Sequence, residues 1–291
     1  MEQYREHRFQ ANDGLQLYAR RYAPVEISTA IPVVCLPGLT RNSRDFHALA
    51  LFLTSSSGGS HPVVSLDYRG RGNAARDPDK SNYSIAVETR DVVTACAHFG
   101  IERACFIGTS RGGLILHQLI EVAPDLIAAA VLNDIGPVIE IAGLLAIRDY
   151  LNAPHGPTRW AEAPNYLRTV HGADFPILGA SDWEQMARAI YRDEAGIPCA
   201  DFDPAIALPL RGLTGETSLP TLWPQLEALA ERPLMVVRGE HSKLLSQTIF
   251  DDMRRRNPKI LAHTALGQGH APLLHLDGPR QAVTAFADSI A

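Results

Sequence analysis

Short apolar, β-branched runs recur along the chain, and a longer segment with helical spacing follows most of them. Runs of this kind are IPVVCL (31–36), PVVSL (62–66) and residues 104–108, 128–132 and 233–237. A strand that is apolar at consecutive positions is buried on both faces, which is typical of a parallel sheet covered by helices on both sides. The pattern therefore predicts an α/β fold with a mostly parallel sheet.

The remaining elements fit the same plan, except in one region. We predict an edge strand over Leu15–Arg21, a last strand over Ile260–Leu266, and helices over Ser84–Phe99, Arg111–Val122, Ser246–Arg256 and from about Pro279. Residues 137–232 contain no comparable strand, hold all three tryptophans and are rich in proline. We interpret them as a mostly helical insertion, the cap, within a core domain formed by residues 1–136 and 233–291.

Composition and charge restrict the partners. The net charge is −5, and the basic residues are scattered apart from Arg254, Arg255 and Arg256, which argues against a nucleic-acid partner. The sequence contains no run of 18 apolar residues, so we expect no membrane span. The opening stretch MEQYREHRFQ lacks the apolar segment of a signal peptide. The four cysteines, of which Cys35 and Cys105 lie inside apolar strands, are predicted to be free thiols in a reducing, cytoplasmic compartment.

The stretch ACFIGTSRGG (104–113) contains a G-x-S-x-G motif between a predicted strand and a predicted helix. A tight turn there pushes the Ser110 hydroxyl out over the end of the sheet, and the glycines at 108 and 112 let strand and helix approach closely. The helix start places the Arg111 N–H beside that hydroxyl, where an oxyanion forms. We therefore predict that Ser110 is a nucleophile rather than an incidental serine in a glycine-rich turn.

Two other loops supply the groups that a serine nucleophile needs. Pro37 and Gly38 end an early strand, so the Leu39 N–H is predicted to be the second oxyanion donor. His270 lies in LGQGHAPL (266–273), after the last strand, in a loop that can reach the carboxyl edge of the sheet. We predict that His270 is the general base, because its chain position and loop set it apart from the other histidines.

Six stretches together carry a resemblance to a known family. They are PGLTRNSRDF (37–46), LDYRGRG (66–72), IGTSRGG (107–113), LNDIGP (132–137), VVRGEHS (236–242) and GQGHAP (267–272). In this order, and over nearly the whole chain outside the cap, they resemble the α/β-hydrolase superfamily, in particular its serine esterase-like members with a helical cap. The resemblance implies an eight-stranded, mostly parallel sheet with the cap inserted after the sixth strand.

The acid of a Ser–His–acid triad is harder to assign. In many family members it follows the seventh strand, in a stretch like R-G-E-x-S-D, but this chain has Lys243 there, and a cation cannot accept the histidine N–H. Asp134, after the sixth strand, is a position that some members use. Glu240 is the alternative acid, unless it binds backbone N–H groups of its own loop. We predict Asp134, which lies 24 residues after Ser110 (134 − 110), one helix and one strand further, and so at the same sheet edge.

Together these residues predict a serine hydrolase that cleaves a carboxylic ester through an acyl-enzyme, with no metal and no other cofactor. The same triad also serves C–C bond, lactone or amide hydrolysis, and a non-catalytic ligand-binding module of the same fold is a third alternative. The expected partner is a small-molecule substrate with a mainly apolar acyl or alcohol part, held under the cap. No membrane or nucleic-acid partner is expected, and the sequence leaves the oligomeric state open.

Two further arginine-containing stretches are given structural interpretations. The Arg111 side chain is expected to pair with a nearby acid such as Asp67 rather than with an anionic substrate, because an unpaired buried arginine is costly. Residues 69–72, Arg-Gly-Arg-Gly, are interpreted as a turn after the fourth strand.

Overall fold

Eight of the strands form one sheet. The computed structural model describes residues 3–24, 28–152 and 156–290, so residues 1, 2, 25–27 and 291 of the predicted core and 153–155 of the predicted cap lie outside it. The described strands are β1 Arg5–Gln10, β2 Gln16–Tyr22, β3 Val33–Leu36, β4 Val63–Asp67, β5 Ala104–Thr109, β6 Ile127–Asn133, β7 Tyr191–Glu194, β8 Ile197–Ala200, β9 Leu234–Gly239 and β10 Leu261–Ala265.

The sheet has the order β1-β2-β4-β3-β5-β6-β9-β10. β2 pairs antiparallel with β1 and β4, and every other neighbouring pair is parallel. The prediction of an eight-stranded, mostly parallel α/β sheet is therefore confirmed. The carboxyl ends of β3, β5, β6, β9 and β10 lie along one edge, where the loops that follow them can meet.

Helices cover both faces of the sheet. The described α-helices are α1 His47–Leu53, α2 Ile85–Phe99, α3 Arg111–Val122, α4 Ile141–Leu151, α5 Ala163–His171, α6 Ala180–Ile190, α7 Trp223–Leu229, α8 Gln247–Arg256 and α9 Asp277–Asp288. Alternate residues of β3 serve opposite layers: Val34 and Leu36 join the core beneath α2, α3 and α8, while Val33 and Cys35 join the core beneath α1 and α9. Within the described part of the chain, no helix is both long and apolar enough to cross a bilayer.

The region between β6 and β9 has its own apolar cluster. Trp183 and Met186 of α6 pack with Leu167 of α5 and with Phe175 and Tyr191. Our prediction of a mostly helical region, without strands comparable to those of the sheet, did not include the short two-stranded antiparallel hairpin that β7 and β8 form. The hairpin escapes sequence analysis because it is short and mostly solvent-facing, so it lacks the apolar run of a buried strand. The exact boundaries of the cap, 137 and 232, stay a prediction.

One strand of the main sheet was not predicted from the residues themselves. β1 reads REHRFQ, and of its six residues only Phe9 is buried. It pairs along its whole length with β2, from Arg5 opposite Arg21 to Gln10 opposite Gln16. An edge strand needs only backbone hydrogen bonds on one side, so a charged sequence can form it without an apolar signal.

A histidine lies in the core on helix α3. His117 is 1% exposed, and its Nδ1 lies 2.7 Å from the carbonyl oxygen of Gly113 one turn earlier. A carbonyl only accepts, so Nδ1 is the protonated nitrogen. Burial lowers the pKa of His117 to about 4, since the charged imidazolium is costly to desolvate.

This burial makes stability depend on pH. The pKa of His117 is about 4 in the folded chain and about 6.5 unfolded, so its contribution is complete above pH 6.5 and is lost as pH falls toward 4. We expect the free energy of unfolding to fall between pH 6.5 and 4, with His117 contributing at most about 1.4 kcal/mol per pH unit. His117→Asn, which keeps a donor for Gly113, should flatten the slope measured by urea unfolding; an unchanged slope would contradict the prediction.

Candidate active site

The turn between β5 and α3 presents Ser110. It is the single residue between Thr109, which ends β5, and Arg111, which begins α3, and its backbone has φ +51° and ψ −108°. A non-glycine residue is strained at such a φ, and the strain is held by neighbouring contacts. One of these is the hydrogen bond from the Ser110 N–H to the Asn133 carbonyl on β6, 3.0 Å. The turn directs the hydroxyl toward the carboxyl edge of the sheet.

The two motif glycines are required by close backbone approach. A Cβ on Gly112 would lie 2.1 Å from the carbonyl oxygen of Leu36 in β3, and a Cβ on Gly108 would lie 2.6 Å from the Gly112 carbonyl carbon. Neither distance is attainable without moving backbone. Helix α3 can therefore begin directly over β3 and β5 only because both positions lack a side chain.

His270 and Asp134 lie beside Ser110 in a continuous hydrogen-bonded line. His270 Nε2 is 2.9 Å from Ser110 Oγ, and His270 Nδ1 is 2.7 Å from Asp134 Oδ2. Since a carboxylate only accepts, Nδ1 carries the proton and Nε2 is left to accept from the Ser110 hydroxyl. This is the relative orientation that a serine nucleophile and its base require.

Asp134 is fixed by the strands on either side of it. It follows β6 directly, is fully buried, and donates its N–H to the Val237 carbonyl of β9 at 2.7 Å. Its Oδ1 accepts the Gly239 N–H at 2.8 Å, which leaves Oδ2 for His270. The Asp134 carboxylate thus joins β6, β9 and the loop after β10.

The alternative acid, Glu240, lies elsewhere. Its Oε2 accepts the Gly267 N–H at 2.7 Å, and its side chain is about half exposed. It therefore ties the loop after β9 to the loop that leads to His270. Among the described residues, no group of three or more His, Cys, Asp or Glu side chains is arranged to hold a metal ion.

Lys243, which replaces the expected aspartate, reaches across to the cap. Its Nζ lies 2.9 and 3.1 Å from the two carboxylate oxygens of Asp174. The same cap segment touches the His270 loop at two glycines: a Cβ on Gly267 would lie 2.9 Å from Ile177 Cβ, and a Cβ on Gly269 would lie 2.8 Å from Asp174 Cβ. The loop after β9 therefore contacts the cap through Lys243.

The two expected oxyanion donors both lie next to the serine. The Arg111 N–H is the first of α3 and has no partner within the helix. Leu39 lies in the loop after β3, beside Ser110: a Cβ on the preceding Gly38 would be 4.0 Å from Ser110 Cβ. The Leu39 N–H donates to none of the residues that the structure describes, while its carbonyl accepts from Arg71 Nε at 2.8 Å.

The Arg111 side chain is paired, as expected, but not with Asp67. Its Nε lies 2.5 Å from Glu88 Oε2, and its Nη2 donates to the Tyr83 carbonyl at 3.1 Å. Asp67 accepts backbone N–H groups of residues 43 and 73 instead, at 2.6 and 2.8 Å. The identity of the partner acid is thus a correction, and the reason is that Glu88 on α2 points inward toward the start of α3.

Two cavities meet at Ser110, and both are also lined by Leu39 and Ile147. The larger, of about 600 Å³, is lined by His270 and by many polar side chains, among them Arg41, Arg44, His171, Ser181, Glu184, Gln185 and Arg188. The smaller, of about 420 Å³, is mostly apolar and is lined by Ile85, Leu114, Ile135, Ile139, Leu144, Leu210, Leu219, Leu222 and Leu244. Arg111 lines only the smaller cavity and His270 only the larger.

Comparisons with known proteins identify the family. Residues 33–286 match the model of the alpha/beta hydrolase family. The chain belongs to the alpha/beta hydrolase family. An alpha/beta hydrolase of known structure from Novosphingobium aromaticivorans is 36% identical, with a TM-score of 0.90 over 99% of both chains.

Two members of the family with assigned activities are similar over most of their length. A 3-hydroxybutyrate-oligomer hydrolase from Cupriavidus necator is 32% identical over 82% of each chain. The esterase YbfF from Escherichia coli is 26% identical over 82% of this chain and 85% of its own. Membership of this family supports hydrolysis as the reaction class. It does not identify the bond that is cleaved.

Two residues beside the site were missed by the sequence analysis. Arg71 was interpreted as part of a structural turn, although it binds the Leu39 carbonyl, and Glu88 was not singled out at all. The stretch Arg-Gly-Arg-Gly at 69–72 could have pointed to Arg71, because an arginine that is buried in a turn needs partners for its charge. Nothing in the sequence distinguishes Glu88 from a solvent-facing glutamate of a helix.

The close approach of α3 predicts a sharp cost for one methyl group. Gly112→Ala should lower the free energy of unfolding by at least about 1–3 kcal/mol, since the new Cβ would strike the Leu36 carbonyl. Gly212→Ala is the matched control, because its Cβ would meet no atom within 4 Å, and it should change stability by no more than about 0.5 kcal/mol. Urea unfolding measures both variants, and equal losses of unfolding free energy would contradict the close approach of α3 to β3.

Proposed function

We propose that this chain is a serine hydrolase that cleaves carboxylic esters through a covalent acyl-enzyme. The observation that carries the proposal is the line of contacts from Ser110 Oγ to His270 Nε2, 2.9 Å, and from His270 Nδ1 to Asp134 Oδ2, 2.7 Å. An arrangement of nucleophile, base and orienting acid at hydrogen-bond distance is that of acyl-transfer enzymes. The activities of the two relatives, an esterase and a hydrolase of 3-hydroxybutyrate oligomers, favour an ester.

In the proposed reaction, Ser110 Oγ attacks the acyl carbon while His270 Nε2 takes the hydroxyl proton. Asp134 accepts the Nδ1–H and stabilises the imidazolium that forms. The Leu39 and Arg111 N–H groups stabilise the negative oxygen of the tetrahedral intermediate. His270 then gives its proton to the leaving alcohol, and a water molecule activated in the same way releases the acid.

The two cavities suggest how the ester lies. The leaving oxygen has to come within hydrogen-bond reach of His270 Nε2, so the alcohol part points into the larger, more polar cavity that His270 lines. The acyl part then takes the apolar cavity of about 420 Å³, on the Arg111 side of Ser110. We therefore assign the apolar part of the substrate to its acyl group.

The triad predicts a specific pattern of activities. With p-nitrophenyl butyrate, we expect turnover by the wild type, none above background for Ser110→Ala, and a loss of about 10³- to 10⁴-fold in kcat for Asp134→Asn, because the asparagine favours the wrong imidazole tautomer. Glu240→Gln should keep kcat within the same order of magnitude, since Glu240 only accepts the Gly267 N–H. Initial rates at saturating substrate measure all four.

Other outcomes assign the chemistry differently. Full activity of Asp134→Asn with an inactive Glu240→Gln would return the acid to the loop after β9. A wild type with no activity on esters but with Ser110 labelled by a fluorophosphonate would favour C–C bond, lactone or amide hydrolysis. No labelling of Ser110 would favour the non-catalytic binding module.

The assignment of the acyl part to one cavity and the alcohol part to the other predicts that two bulky variants change different selectivities. Leu219→Trp, in the apolar cavity, should lower kcat/KM for p-nitrophenyl octanoate relative to the acetate by at least about 10-fold, because a filled pocket excludes the longer acyl chain. Gln185→Trp, in the larger cavity, should discriminate instead among acetates of large and small alcohols.

A control variant separates pocket filling from general damage. Leu208→Trp adds the same bulk at a cap position that is 43% exposed and lines neither cavity, and it should leave both substrate series unchanged. If Leu219→Trp discriminates by alcohol size and Gln185→Trp by acyl length, the orientation of the ester is the reverse of the one proposed.

A further inference from the structure

A buried carboxylate lies between two arginines next to the site. Glu88, in the first turn of α2, is completely buried. Its Oε1 accepts from Arg71 Nη1 at 2.7 Å, and its Oε2 accepts from Arg111 Nε at 2.5 Å. The Arg71 side chain is fully buried as well, and that of Arg111 is 13% exposed. Charged hydrogen bonds in such a dry environment are strong and hold their partners in defined positions.

Arg71 also binds the backbone of the candidate oxyanion site, and Arg111 is itself part of that backbone. Arg71 Nε donates to the Leu39 carbonyl at 2.8 Å, and Arg71 Nη1 donates to the carbonyl of residue 69 at 2.7 Å. Arg111 contributes its own N–H at the start of α3. Glu88 is therefore linked directly to Arg111 and, through Arg71, to Leu39, although the loop after β3 and the start of α3 are separate in sequence.

We propose that Glu88 is a positioning residue for the oxyanion hole: through Arg71 and Arg111 it sets the separation and direction of the Leu39 and Arg111 N–H donors. This inference rests on the proposed function, because an oxyanion forms only if Ser110 attacks an acyl carbon. Oxyanion donors act by being already aimed at the position where charge develops, so a shift of a few tenths of an ångström weakens the transition state more than the bound substrate.

The formal charge of the cluster also affects an oxyanion. Two guanidinium groups and one carboxylate leave a net charge of +1 beside Ser110, which favours a developing oxyanion. Neutralising Glu88 adds positive charge but releases both arginines, so the two effects oppose each other. If charge alone mattered, Glu88→Gln would speed the reaction; if position matters, it slows it.

Helix α2 supplies a matched control one turn further on. Asp91 is buried and binds the Arg69 guanidinium through two hydrogen bonds of 2.7 Å. The Arg69 side chain binds acids outside the site, Asp13, Asp77 and Asp91, and it is the Arg69 backbone carbonyl that accepts from Arg71. Asp91→Asn therefore removes a buried carboxylate from the same helix and leaves a buried arginine short of a partner, as Glu88→Gln does. Both variants should lose stability in urea unfolding.

The experiment compares readouts that a purely structural role would not separate. For Glu88→Gln we expect kcat on p-nitrophenyl butyrate to fall about 10- to 100-fold with KM changed less than about 2-fold, because a misdirected donor loses part of the 10²- to 10³-fold that one donor provides. The inhibition constant of an alkyl trifluoromethyl ketone, whose adduct with serine carries an oxyanion, should rise in parallel. Asp91→Asn should change neither value more than about 2-fold.

A second variant and a second probe decide the remaining outcomes. Glu88→Asp keeps the charge with a shorter reach, and we expect an intermediate kcat and inhibition constant. The rate of Ser110 labelling by a fluorophosphonate gives the same comparison without ester turnover. Glu88→Gln and Asp91→Asn with equal rates and equal inhibition constants, in an active chain, overturn the positioning role alone. A wild type that neither turns over esters nor labels at Ser110 overturns the proposed function as well.

Discussion

The arrangement of the site depends on the hydrogen bonds of the Asp134 carboxylate. It is fully buried, and its two oxygens bind the Gly239 N–H at the end of β9 and the His270 ring. Parallel pairing of β5, β6 and β9 brings the ends of these strands to one edge, so that Ser110 and Asp134 are fixed by the same backbone hydrogen bonds that build the sheet. His270 lies further from its strand, five residues after the end of β10 (270 − 265), and the Asp134 carboxylate orients it.

Sequence analysis found the parts of the protein in which local pattern and tertiary role coincide. The apolar strands, the tight turn at Ser110 and the position of Asp134 all follow from short-range rules: burial of both strand faces, lack of side chains at close approach, and chain order along a parallel sheet. His270 was predicted from the same chain order. At these positions the local sequence preference and the overall fold agree, so sequence analysis could predict them.

The features that were missed depend on orientation rather than on pattern. β1 and the β7–β8 hairpin carry no continuous apolar signal, because one is a charged edge strand and the other faces solvent. Glu88 looks like any glutamate near a helix start, and only the packing of α2 against α3 turns it toward Arg71 and Arg111. Pairs of charges 17 and 23 residues apart (88 − 71 and 111 − 88) cannot be matched without knowing how α2 packs against α3 and against the turn that carries Arg71.

The contact between Lys243 and Asp174 has a consequence for the surroundings of His270. An exposed ion pair of this kind holds its partners only weakly and is screened by salt. The firmer restraint is steric, because cap residues 174–177 rest directly on the backbone of Gly267 and Gly269. These cap residues leave no room for a side chain at either glycine, so the loop that carries the imidazole and the cap constrain each other's sequence.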